Sequence, residues 1–342
     1  MIPELPDKII DLTNVSVGYK WKAKTDKIVK SEISVYALKG ELVALIGENG
    51  VGKSTLLRTI AGFQPHINGE IRILEKSIAS YREKELALLM SFVSTEIIKV
   101  SNLTVFDLVS LGRYPHTNWF GKLMQEDQNI IEEAIASVGL RGYEYRMVNH
   151  LSDGERQKVM IARTLAQNTE IILLDEPTAF LDLANKYEIV NILHRLASDK
   201  RKTILFSTHD LTTAIAESDR LWLMLQNSVE QGAPEDLILN GNFNAIFHNK
   251  NLFFDPEKGD FRIRKANKRK ACVTGEGLPL HWTIKALVRN GFEVIQSTSQ
   301  STIDITINYP EWTVNILSIP HKFDSLHALC RFLNLSENNV SS

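Results

Sequence analysis

Two cysteines, Cys272 and Cys330, are all that 342 residues contain, and they stand far apart in the chain. That excludes a disulfide-stapled scaffold and the paired-cysteine spacing of a structural zinc site. No apolar run approaches the roughly 20 residues needed to cross a bilayer, and the longest candidates are strand-length, such as "IILL" at 171–174. The stretch "MIPELPDKIIDL" lacks the basic-then-apolar profile of a secretory leader, so a chain working in the cytosol or at a membrane surface is expected. An excess of charge of one sign is missing as well. The 39 basic residues nearly cancel the 41 acidic ones, which removes the broad positive field on which nucleic-acid binding depends. What is present is a 44% apolar composition in a chain long enough for two domains with their own cores.

The periodicities divide that length. "KIIDLTNVSVGYKWKAK" alternates apolar and polar residues and predicts strands of a small antiparallel sheet. "ELVALIG" (41–47) is a compact apolar strand, and "KSTLLRTIAG" leaves it as a helix closed by Gly62. Residues from about 82 to 168 read as mostly helical. The strand "EIILLDEP", the helix "LANKYEIVNILHRLASDK" and the strand "KTILFSTHD" follow, with "LWLML" as a further short strand. Such alternation implies a parallel sheet flanked by helices. From Asp255 the polar, basic stretch "DPEKGDFRIRKANKRKA" reads as a linker, with lipid headgroups as a sharper alternative contact for its charges. The expected domains are therefore 1–255 and 256–342. In the second, a small α/β unit over about 271–335 has Leu280, Ile284, Leu287 and Val288 on one helical face and Leu326, Leu329, Cys330 and Leu333 on another, which makes Cys330 a core residue. "TGEG" at 274–277 lacks the third glycine of a dinucleotide fingerprint, so it is not read as a nucleotide turn.

Chemistry concentrates in the first domain. "GENGVGKST" satisfies the full phosphate-loop pattern between a strand and a helix: Gly47, four residues including Asn49 and Gly50, then Gly52, Lys53, Ser54 and Thr55. The glycines let backbone N–H groups turn inward around phosphates. Lys53 would neutralise the β- and γ-phosphates and the Ser54 hydroxyl would reach Mg²⁺. Asp175 ends a buried strand where a carboxylate can serve Mg²⁺, and Glu176 is placed to orient or deprotonate an attacking water. His209, emerging from the next parallel strand, falls at the same sheet edge. A second phosphate-facing element is predicted at "LSDGERQ", where Ser152 caps a helix whose free N–H groups and dipole favour an anion.

This order of parts resembles the ATP-binding subunits of ABC transporters over residues 1–255. The resemblance implies an α/β P-loop ATPase fold with a parallel-sheet core, an antiparallel β subdomain and a helical subdomain, followed here by a small C-terminal α/β domain. It implies ATP and Mg²⁺ as cofactors, a head-to-tail homodimer, and ATP hydrolysis coupled to transport. It assigns "LSDGERQ" to the signature motif, so that Ser152 and Gly154 would bind the γ-phosphate held by the other protomer. Asp153 replaces a glycine there and Glu155 a glutamine, and Arg156 is placed to offset the added acids. Tyr19 matches the aromatic that stacks on adenine, and Asp182 in "AFLD" matches the loop linking the two sites. Where the family has a metal-sensing glutamine, this chain has Thr95 followed by Glu96, an oxygen that would approach the metal.

"NLTVFDLVSLGRYPHT" (102–117) resembles the corresponding stretch of importers for ferric siderophores, haem and cobalamin. The resemblance makes Arg113, Tyr114 and Pro115 the contact for a separate membrane permease, with a periplasmic or lipid-anchored binding protein as an indirect partner and no nucleic acid. The expected location is the cytoplasmic face of the plasma membrane. A soluble, non-transport ABC ATPase is the first alternative, and it is disfavoured because neither a long coiled-coil insertion nor a second cassette is present. An exporter subunit is the second, disfavoured by the "GRYP" stretch and by the absence of a fused membrane domain.

Overall fold

The computed structural model describes residues 8–20, 26–94, 102–117, 122–246, 252–263, 269–295, 303–316 and 319–335. Thr95 and Glu96 lie outside them. The chain divides into two compact units, one over 1–248 with 254–261, the other over 249–253 with 262–342.

The first unit begins with β1 (Lys8–Tyr19) and β2 (Lys27–Leu38), long strands paired antiparallel. Next comes β3 (Leu42–Gly47), buried along its whole length as its unbroken apolar sequence requires of a central parallel strand. The phosphate loop leads to α1 (Lys53–Ile60), then β4 (Asn68–Ile73) and β5 (Lys76–Ser77) complete the small sheet in the order β2-β1-β4-β5. Here α2 (Glu83–Leu89) runs into β6 (Met90–Val93). The helical layer follows as α3 (Val105–Ser110), α4 (Gln125–Ser137) and α5 (Asp153–Gln167). The main sheet resumes with β7 (Ile171–Leu174), α6 (Leu183–Ser198), β8 (Thr203–Thr208), α7 (Leu211–Glu217), β9 (Arg220–Met224), β10 (Val229–Gly232) and α8 (Pro234–Leu239). Its six strands run in the order β10-β9-β3-β8-β7-β6, parallel except for the β9–β10 hairpin.

Side chains alternate across this sheet and build two cores. Leu42, Ala44 and Ile46 face the helices α3 to α7, while Val43 and Leu45 face α1 and the small antiparallel sheet. The region 82–168 is mostly helical as expected, but it also holds a strand the sequence did not show: β6 inserts Met90–Val93 as the edge strand beside β7. Four residues are too few to separate strand from helix by period alone. The stretch read as linker is structured over residues 255–263. A hairpin of β11 (Leu252–Asp255) and β12 (Asp260–Ile263) crosses the expected boundary after residue 255. Phe254 stacks against Phe243 at 4.7 Å and Phe261 at 5.1 Å, inside the helical-side core. The phenylalanines at 253, 254 and 261 were the available signal.

The second unit is a five-stranded sheet of β13 (Arg269–Thr274), β14 (Phe292–Ile295), β15 (Ile303–Asn308), β16 (Glu311–Ile316) and β17 (Ile319–Phe323), in the order β14-β13-β15-β16-β17. The helices α9 (Gly277–Arg289) and α10 (Leu326–Leu335) complete it. The strand β17 was not anticipated, since Pro320 and Lys322 in five residues dilute its pattern. On α9 the buried face is also rotated: Val288 is exposed, and Thr283 takes an inward place by accepting the Trp312 indole N–H at 2.9 Å and donating to the Pro279 carbonyl at 2.7 Å. Cys330 is buried as expected, and burial raises its thiol pKa.

Replacing Phe254 with alanine should cost the first unit about 3–5 kcal/mol, the range for losing a buried phenyl ring. Thermal melting of the full chain checks this, and an unchanged first transition would remove the hairpin from the core.

Candidate nucleotide site

The strand β3 delivers the phosphate loop, in which Gly47 and Gly52 stand where a side chain has no room. A Cβ on Gly47 would lie 2.7 Å from the Met224 carbonyl oxygen. Gly52, at φ +112°, caps α1 in the left-handed region and touches Val29 of β2. Lys53 folds back to donate from Nζ to the carbonyls of Gly47 at 2.9 Å and Glu48 at 3.2 Å. Burial lowers its pKa, while the nearby Glu176 and Asp175 carboxylates oppose that shift. Ile46, Gly47, Glu48, Asn49, His209 and Leu211 help line a cavity of about 390 Å³ beside the loop. Gly50 and Ser54 are exposed, and Thr55 is buried in the first turn of α1. Tyr19 is half exposed at the end of β1, paired with Lys27 two positions before Val29.

Asp175 follows β7 and is buried. Its Oδ1 accepts hydrogen bonds from Ser54 Oγ at 3.0 Å and Ser207 Oγ at 2.7 Å. Ser207 also accepts the Glu176 backbone N–H at 2.8 Å. That contact holds Glu176 at φ +47°, a left-handed conformation that non-glycine residues seldom adopt. The turn brings Glu176 Oε2 to 3.7 Å from His209 Nδ1. Ser207 was missed by sequence reasoning. Its one signal was a serine near the end of a strand, two residues before His209.

The second group forms around two helix starts. Ser152 caps α5 and Asp182 caps α6. Asp182 accepts from the Asn185 backbone N–H at 2.8 Å and from its amide Nδ2 at 3.0 Å. The Asn185 amide lies so close to Gly154 that a Cβ there would meet it at 2.6 Å. Asn185, also missed, therefore ties Asp182 to Gly154. Lys186, the next residue, donates to Asp210 at 2.9 Å, one position beyond His209. Arg156 pairs with Asp153, as the sequence suggested.

Arg113 is corrected. Its guanidinium is buried, donating to Asp127 at 2.8 Å and to the Ala166 carbonyl at 2.9 Å, so it does not present a contact surface. Gly112 makes this fit possible, since a Cβ would lie 2.2 Å from the Arg163 carbonyl oxygen. Tyr114 next to it is exposed and Pro115 partly so. Among the described residues, no helix is long and apolar enough to cross a membrane, and no group of three or more His, Cys, Asp or Glu side chains is placed to hold a metal. Oxygen donors of the Ser54 and Asp175 kind nevertheless suit Mg²⁺, which takes few protein ligands and keeps water and phosphate oxygens.

The chain is similar to known proteins in both of its units. The ABC transporter family profile matches residues 31–179, and the iron ABC transporter C-terminal domain profile matches 268–334. A petrobactin import ATP-binding protein of Bacillus anthracis is 36% identical over 270 residues, covering 78% of this chain and 99% of that one. An iron(3+)-hydroxamate import ATP-binding protein of Bacillus subtilis is 41% identical over 189 residues, 55% of this chain and 70% of its own. Among solved structures, a dimeric bacterial ABC transporter cassette superposes with a TM-score of 0.58 at 27% identity, over 66% of this chain and 98% of that one.

If Glu176 accepts the proton of the attacking water, Glu176→Gln should retain ATP binding while hydrolysis falls by about 10²–10⁴-fold. A steady-state ATPase assay beside a nucleotide-binding titration reads both, and turnover near wild type would remove Glu176 from that role.

Proposed function

Because this chain belongs to the family of ABC transporter ATP-binding proteins, we propose that it is the ATPase subunit of an importer for an iron chelate, a siderophore or haem, or for cobalamin. The observation that carries the reading is the joining of Ser54, Asp175, Ser207, Glu176 and His209 at one sheet edge, above a complete phosphate loop. The relatives' names and the match of residues 268–334 to an iron transporter C-terminal domain support the choice of cargo class.

In this reading the phosphate loop and Lys53 bind the β- and γ-phosphates, with Tyr19 against the adenine. Ser54 Oγ and Asp175 would hold Mg²⁺, which when bound offsets phosphate charge. Glu176, fixed by its Ser207 contact, accepts the proton of the attacking water. His209, 3.7 Å from it, orients that carboxylate and faces the γ-phosphate that the water attacks. Ser152 and the Gly154 N–H bind the ATP of a second protomer, and Asp182 lies between the two pockets. Two protomers close on two ATP molecules and reopen after hydrolysis. Tyr114, exposed on a segment packed against α5, contacts the permease at the cytoplasmic face of the membrane.

The shared pocket has a direct test. Lys53→Ala disables one half of a pocket and Ser152→Arg the other, so each homodimer should be inactive. Mixing the two variants should regenerate one intact pocket in each heterodimer and recover part of the ATPase rate. Heterodimers that form without any recovered activity would overturn the shared-pocket arrangement, once a Ser152→Arg/wild-type mixture has shown that one pocket can turn over alone.

A further inference from the structure

The Ser152 hydroxyl has one proton to give. Here it goes to Glu155: Ser152 Oγ lies 2.9 Å from Glu155 Oε2, and the same oxygen accepts the Ser152 backbone N–H at 2.8 Å. In return Ser152 Oγ accepts the Glu155 N–H at 3.3 Å. This closes a capping box at the start of α5. The Ser152 backbone N–H holds the Glu155 carboxyl below the usual carboxylate range, helped by the Ser152 hydroxyl, Tyr143 and Arg146 against the opposing effect of burial. At neutral pH the box is thus occupied by an anion.

A terminal phosphate arriving at this helix start would need the same Ser152 proton. Asp153, the other acid of the turn, is met by Arg156. Glu155 is instead met by Ser152 itself. An ionised carboxylate makes a charge-assisted hydrogen bond roughly twice as strong as that of a neutral amide oxygen, and it also repels the incoming phosphate. A glutamine would keep the shape of the box and lose both effects.

We propose that Glu155 is a competing acceptor that holds Ser152 away from the second protomer's ATP, and so sets the ATP concentration at which two protomers close. The inference rests on the reading of Ser152 as a ligand of that ATP. Closure requires the Ser152 proton to move from the carboxylate to a phosphate oxygen as hydrogen-bond acceptor, with no covalent change.

The test uses the full-length chain carrying Glu176→Gln, titrated with ATP while dimer formation is followed by light scattering. Each half-maximal ATP concentration is normalised to the same variant's affinity for ADP, which lacks the γ-phosphate. Adding Glu155→Gln should lower the half-maximal concentration about tenfold, the effect of one hydrogen bond. Glu155→Ala, which removes the acceptor, should shift it in the same direction, with melting curves confirming that α5 remains folded. Combining Ser152→Ala with Glu155→Gln should erase the gain, since no proton is left to release. An unchanged or raised ATP requirement in Glu155→Gln overturns the proposal. Ser152→Ala alone separates the two readings. If it dimerises like its parent, the shared pocket has failed. If it loses dimerisation while Glu155→Gln changes nothing, only the role of Glu155 has failed.

Discussion

One buried carboxylate oxygen organises the nucleotide site. Asp175 Oδ1 accepts a hydrogen bond from Ser54 at the start of α1 and another from Ser207 on β8. A buried charge is tolerated only when its lone pairs are engaged, and engaging these ones fixes three successive parts of the site. Ser54 is held in the phosphate loop's first helical turn. Ser207 is oriented so that its oxygen faces the Glu176 N–H, which stabilises a backbone conformation that would otherwise be costly. Glu176 is then turned toward His209. The Lys53 ammonium is near enough to Asp175 and Glu176 for both to counter the effect of its burial. Loss of either hydroxyl would remove one of the two donors to Asp175 Oδ1 and loosen the remaining contacts.

The parts of this arrangement that were legible in the sequence are those whose spacing is dictated by the chain itself. The phosphate loop is a single continuous stretch whose glycines and lysine have to be neighbours, so it can be read without a structure. Asp175 and Glu176 declare themselves by ending an apolar strand, and the alternation of strands and helices fixes that His209 reaches the same edge. Ser207 and Asn185 could not be read in that way. Each acts on residues distant in sequence, Ser207 across to β7 and Asn185 from α6 to the α5 start, and a lone serine or asparagine has no period. Arg113 failed for the opposite reason. Its local motif suggested a surface, but the fold supplies a carboxylate and a helix-end carbonyl that draw it inward. Charged side chains are buried where they find such partners.

The fold errors share a cause as well. Short strands, β6 with four residues and β17 with five, have too few positions to display a period. The β11–β12 hairpin was hidden by composition: five charged residues, Asp255, Glu257, Lys258, Asp260 and Arg262, surround the aromatics that anchor it, and composition is averaged while packing is local.

The two ends of α5 have different duties. Its first turn holds the capping box, and at its last turn Arg113 and His116 approach the carbonyls of Ala166 and Gln167 at 2.9 and 2.8 Å. The Gln167 side chain adds bonds to the carbonyls of Ala87 and Met90. A helix of this length is a rod of roughly 22 Å, so a tilt of ~10° about the clamped end sweeps the other by ~4 Å, more than the length of a hydrogen bond. Were the contact proposed for Tyr114 to tilt α5 about that clamp, the displacement at Ser152 would exceed the one at the clamp. A few degrees of angular play at the rear clamp would then carry the serine by about 1 Å or more, so the stiffness of that clamp would act on the same serine from the far end of the helix.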